Sequence, residues 1–167
     1  MRSFVSGLGG AGGAVAFAAF FLPWLSISCD DLPVVDVSAF ERASGDISSQ
    51  DTSNIEAHQV DLAPQPQYWA LLAVPFALIT LTGALALAPS ASARRLGLAI
   101  IGTALTGLVL ITMFWLEQHL GLASPTRAPP GINIQLQREI GGWLALGGHV
   151  CALISGILAA ILGPNWD

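Results

Sequence analysis

His149 lies in the middle of a long apolar run, Ile140–Leu162. Neutral imidazole is a common metal ligand, and an ionisable side chain at mid-membrane depth is a functional candidate by default. His149 is therefore the residue of this chain best suited to hold a haem iron or a chlorophyll magnesium. A bis-histidine haem needs a second histidine at matching depth. Neither His58, in a polar stretch, nor His119, at the edge of an apolar run, supplies it, whereas a pentacoordinate pigment needs only one. The favoured reading is structural: His149 hydrogen-bonds a backbone carbonyl or a threonine of a neighbouring helix, with Thr80, Thr103 and Thr106 as candidates. No cofactor is expected on that reading, and haem or chlorophyll is the alternative.

A second polar group, Glu117, His119, Arg138 and Glu139, flanks two apolar runs. Such a set can make a cation-binding patch. The favoured expectation is solvated interfacial charges with at most one ion pair, of under ~1 kcal/mol. No catalytic constellation is present: there is no His-Glu-x-x-His motif and no phosphate loop after a strand. EF-hand spacing is also missing, so no metal site is expected. Cys29 and Cys151 are not spaced as a redox or metal pair. Cys151 falls ~16 Å into its run at 1.5 Å per residue, too far from Cys29 for a disulfide.

The elements that must position these residues are four apolar stretches of about 20 residues, the length that crosses a ~30 Å hydrocarbon core. They run over residues 4–26, 68–88, 96–116 and 140–162, joined by outer loops 27–67 and 117–139 and an inner loop 89–95. Hydrophobic residues make up 53% of the chain and charged residues only 10%, against ~25% charged in soluble domains. Trp24, Trp69, Trp115 and Trp143 each mark one end of a stretch. Threaded up and down, all four meet one interface, where indole rings are most stable. The fold expected is an all-α membrane protein, a four-transmembrane-helix bundle with a large acidic first outer loop of partial strand character.

Eight of the eleven acids lie between Asp30 and Asp61. That density argues against nucleic acid and against an anionic lipid surface as the loop's partner. Seven of these acids recur every five residues from Asp31 to Asp61, a period that no helix or strand keeps on one face, so it is read as coincidence. All six basic side chains are Arg, which fits a bacterial coding bias. Arg2, Arg94 and Arg95 lie opposite the tryptophan end. By the rule that basic residues in short loops stay inside, both termini are cytoplasmic in an inner or plasma membrane, with residues 30–66 outside.

Small residues recur every four positions on the first helix at Ser6, Gly10, Ala14 and Ala18, with Gly9 and Gly13 beside them. The last helix carries two such stripes, Gly147–Cys151–Ser155–Ala159 and Gly148–Ala152–Gly156–Ala160. Small residues let helix backbones approach closely in lipid, so these two helices are expected to pack together. Pro75 is expected to kink the second helix. Residues 34–40 read as a short strand and Ser44-Gly45-Asp46 as a turn.

In outline the chain resembles the claudin-like tetraspan proteins, with four helices, cytoplasmic termini and a large first outer loop with strand character. Trp24 and Cys29 near the start of that loop add to the likeness. The family's loop carries a further Trp and a pair of cysteines, where this one has a single Cys and no Trp. The function expected is non-enzymatic: an accessory or assembly subunit of a membrane complex, or a self-associating tetraspan. Its partners would be lipids and other membrane subunits or itself. A cofactor-bearing subunit of an electron-transfer or photosynthetic complex is the alternative, and a transporter or channel component ranks third.

Overall fold

The computed structural model describes residues 1–29, 32–45, 65–119 and 134–163. Most of the acidic loop, including Ser48–Asn54 and His58, lies outside the described residues, as do Pro125, Pro129, Pro130, Trp166 and the side chains of Cys29 and His119. The elements are helix α1 (Arg2–Ala19), strands β1 (Pro23–Cys29) and β2 (Leu32–Ser38), and a short helix α2 (Ala39–Ser44). A 3₁₀ turn (Pro66–Trp69) then leads into α3 (Ala70–Leu87), followed by α4 (Ser90–His119), β3 (Ile134–Arg138) and α5 (Ile140–Leu162). Three helical segments are long and apolar enough to cross a membrane: Pro66–Leu87, Ser90–Glu117 and Ile140–Leu162. Helix α1 has 18 residues, about 27 Å at 1.5 Å per residue. Its glycines and Arg2 make it less apolar than the other three.

The four long helices pack as a ring in which α1 touches α5 and α3, and α4 touches α5 and α3; α1 packs most extensively on α5. Glycine makes that closeness possible. A Cβ at Gly12 would lie 2.5 Å from the Gly148 carbonyl oxygen and 3.0 Å from Cys151 Cβ. Gly9 lies against Ser155 and Thr82, and Gly13 against Leu78 and Ile79 of α3. On the other side of α5, Gly97 of α4 meets the backbone of Gly156 and Ala160. Ser155 spans the first contact, its hydroxyl donating to the Val5 carbonyl at 2.7 Å. In lipid there is no hydrophobic drive to bring helices together, so such contacts and hydrogen bonds must hold the bundle.

Three expectations are corrected here. The first helix ends at Ala19, not near residue 26. Pro23 biases Leu22 away from helical backbone, and residues 23–29 form β1. This strand is the centre of an antiparallel sheet of order β2-β1-β3, with Leu25 paired to Val37 on one side and to Arg138 on the other. The fold is thus helical with a small sheet, in which β2 covers most of the strand expected over residues 34–40 and β1 and β3 extend beyond that expectation. The connection between α3 and α4 is only Ala88 and Pro89, because Ser90–Leu96 is already helical. Arg94 and Arg95 therefore lie on the first turns of α4 rather than in a seven-residue loop.

The third correction concerns the stripes. Ala14 and Ala18 are exposed and Gly10 is half-buried, while the buried face of α1 is Val5, Ser6, Gly9, Gly12, Gly13, Ala16 and Ala19. Positions four apart drift about 40° per step around a 3.6-residue helix, so a strict four-residue stripe winds off the contact. Gly147 is likewise exposed, and a Cβ there meets nothing. Gly148, Cys151, Ser155 and Gly156 do lie in contacts with α1 or α4.

Replacing Gly12 by Ala is expected to lower stability in detergent by ~1–3 kcal/mol, the cost of overpacking a close contact. Gly147→Ala should be neutral or slightly stabilising. Equal unfolding midpoints for the two variants would contradict this packing.

Candidate functional site

The His149 ring is buried, at 1% exposure, between α5 and α4. Its Nδ1 lies 2.7 Å from the Ala145 carbonyl oxygen one turn earlier. A carbonyl only accepts, so Nδ1 carries the proton and Nε2 is the bare nitrogen. Nε2 has no hydrogen-bond partner. It faces Gly107 of α4, where even a Cβ would overlap the imidazole. The threonines expected as partners are engaged elsewhere: Thr80, Thr103 and Thr106 each donate to a carbonyl of their own helix. The proton arrangement is one that a ligating imidazole uses, but the surroundings do not fit a macrocycle. A haem or chlorophyll ring would have to part α4 from α5 to reach Nε2. His149 instead fills the notch that Gly107 leaves.

The sheet end of the bundle holds a second polar centre. Helix α2 starts with a capping box: the Ser38 hydroxyl accepts from Glu41 N at 3.1 Å, and the Glu41 carboxylate accepts from Ser38 N at 2.7 Å. It ends on Gly45 in the left-handed region, φ 76°, where glycine avoids the Cβ penalty. This short helix buries Arg42, only 5% exposed, against the start of the 3₁₀ turn, and the Arg42 carbonyl accepts from Gln65 N at 2.9 Å. The Tyr68 hydroxyl donates to Glu117 Oε2 at the end of α4, and the Arg42 guanidinium lies near the same phenol. Arg42, Tyr68 and Glu117 thus join the first outer segment, the entry to α3 and the exit of α4.

Sequence reasoning missed this cluster. The available signals were a lone Arg among eight acids and the chain's single tyrosine at a span end, opposite a glutamate at the next.

The outer polar patch is divided. Glu117 turns inward to Tyr68, whereas the Arg138 guanidinium lies 5.0 Å above the Trp115 ring, within cation–π range. Glu139 caps α5 through its backbone, its N–H donating to the Trp24 carbonyl at 3.0 Å. Among the described residues, no group of His, Cys, Asp and Glu is placed to hold a metal ion.

The four described tryptophans share one end of the bundle, in contact with Phe20, Phe114 or one another, but in different roles. Trp69 and Trp143 are exposed, at 41% and 51%, as an interfacial belt requires. Trp115 is half-buried and packs on Trp143, ring centroids 5.0 Å apart. Trp24 is a correction: it is a core residue at 1% exposure, its indole donating to the Ala19 carbonyl at 2.6 Å. Its ring meets Phe114 edge-on at 5.1 Å, and Tyr68 packs on the other side of Phe114 at 5.0 Å.

No protein family, curated protein or solved structure matches this chain.

The notch between His149 and Gly107 generates a double-mutant cycle. Gly107→Ala alone is expected to destabilise the protein, because the methyl meets the ring. In a His149→Ala background the same methyl should fit. The two changes should therefore couple favourably by ~0.5–3 kcal/mol when unfolding in detergent is followed by tryptophan fluorescence. Additive effects would show that the ring does not sit on Gly107.

Proposed function

We propose that this chain is a tetraspan membrane protein, with α1 as a fourth crossing beside the three longer ones, and that it acts by contact rather than by catalysis. Its role is that of an accessory or assembly subunit of a larger membrane complex, or of a protein that associates with itself. The observation that carries this reading is the attachment of the outer sheet to the helices. β1 continues directly from α1, and β3 runs into α5 through Glu139. Trp24, Phe114, Tyr68 and Arg42 fill the junction. A sheet fixed in this way offers a rigid platform beyond the membrane, the form an interaction surface needs if it is not to lose affinity to ordering.

Further support comes from what the bundle leaves uncovered. Ala11, Ala14 and Ala18 of α1 are exposed, and small residues allow another helix to approach closely. The buried Thr82 and Ser155 hydroxyls and the Trp24 indole bond to backbone carbonyls of the chain itself, which offers little to a permeating ion. A transporter or channel component is accordingly the less favoured reading. The strands of the first outer segment support the likeness to claudin-like tetraspans in outline. The amino terminus, Arg2, Arg94 and Arg95 share the end opposite the sheet, which supports cytoplasmic termini.

The test is the particle isolated in mild detergent from its native membrane, with a photo-crosslinker at Ala18. The expected result is a colourless particle containing at least one polypeptide besides the 17.3 kDa chain, or a second copy of it, and a protein crosslink from Ala18. A monomer whose crosslinks are to lipid alone would contradict the proposal, as would a haem or chlorophyll absorption band lost in His149→Gln.

A further inference from the structure

At the end of the bundle opposite the sheet, α1 and α3 do not close on each other. They leave a groove of about 400 Å³ between the first turns of α1 and the last turns of α3, open on its outer side. Glycine makes the groove: a Cβ at Gly7 or Gly83 would meet nothing within 4 Å, and one at Gly10 only the Thr82 hydroxyl at 3.6 Å. Three hydroxyls line it, yet at least two are spent on backbone. Ser6 donates to the Ser3 carbonyl at 3.3 Å, and Thr82 to the Leu78 carbonyl at 2.8 Å. The walls are therefore effectively apolar. At the mouth stands Arg2, held across the gap by a bond from its Nε to the Leu85 carbonyl at 3.1 Å.

We infer that this groove holds one acyl chain of an anionic glycerophospholipid, with the lipid's phosphate at the level of Arg2. An apolar groove open to the membrane does not stay empty, because unfilled space forfeits dispersion contacts on every wall, and hydrocarbon is the solvent at that depth. Charge selects the headgroup. Arg2, Arg94, Arg95 and the amino terminus all lie at this end of the bundle, whereas the described acids Asp36, Glu41, Glu117 and Glu139 all belong to the opposite end. Basic pockets between membrane helices on the cytoplasmic side are suited to anionic headgroups. The glycines thus have two uses on α1: Gly9, Gly12 and Gly13 bring helices together, while Gly7 and Gly10 leave the space beside α3 unfilled for a chain to enter. The inference rests on α1 and α3 crossing a membrane and not on an accessory role, so a protein without partners would still bind the lipid.

The test is native mass spectrometry of the full chain in mild detergent, titrated with phosphatidylglycerol or with phosphatidylcholine of the same acyl chains. The wild type should retain one phosphatidylglycerol at severalfold lower lipid concentration than phosphatidylcholine. Gly83→Leu, at a position where an added Cβ meets no protein atom within 4 Å, should lower retention of both lipids at least fivefold, and Gly7→Leu should do the same from the other wall. Arg2→Gln should erase the preference between headgroups. Equal retention of the two lipids by the wild type, or undiminished retention in either leucine variant with an unchanged unfolding midpoint, would overturn the inference.

Discussion

The close approach of α1 to α5 at Gly12 and Gly148 is the constraint on which the rest of the structure depends. Each glycine lies against the other's backbone, so the helices meet without side chains between them. In a membrane this contact substitutes for the hydrophobic effect, which cannot distinguish a helix neighbour from a lipid tail. Once it is made, the register of the two helices is set. Val5 then comes within reach of Ser155, and Gly141 comes against Pro23 and Trp24. The start of β1 is thereby fixed over the start of α5, and the sheet inherits its place from the helices.

The opposite ends of the bundle are built on different physics. At the sheet end, a buried Arg lies beside a hydrogen-bonded Tyr and Glu while aromatic rings close around them. Arg42 is deeply buried, and removing one member of such a group leaves the others short of partners, which costs more than the bond alone. Specificity follows from the need to bring α2, the 3₁₀ turn and α4 together at once. At the opposite end, Arg2, Arg94 and Arg95 stand on the first turns of α1 and α4, and the packing loosens into a groove.

The sequence made the three long spans legible because hydropathy and length suffice for helices that must satisfy their backbone internally. It misled where an apolar run changed backbone type. Leu22-Pro23-Trp24-Leu25 reads as continuous with α1 by hydropathy, and only Pro23 marks the change to strand. It misled again on α1's contact face. Ala14 and Ala18 are as small as Gly12 and Gly13, and composition alone does not say which side a neighbour occupies. The polar cluster was least legible, since Arg42, Tyr68 and Glu117 are far apart in the chain and each is ordinary alone. The five-residue acidic spacing carries no common structure where it is described: Asp36 lies in β2, and Glu41 caps α2.

The central claim is that α1 crosses the membrane, so that the amino terminus and the α3–α4 connection share one side and the sheet lies on the other. It is tested most directly with an impermeant thiol reagent on intact cells. The background would be a variant lacking Cys29 and Cys151, with single cysteines placed at Ser3, Gln50 or Ala91. Reaction at 50 alone is the predicted result, with 3 and 91 reacting only after the membrane is opened. Reaction at 3 together with 50 would show that α1 does not cross, and would contradict the four-helix account.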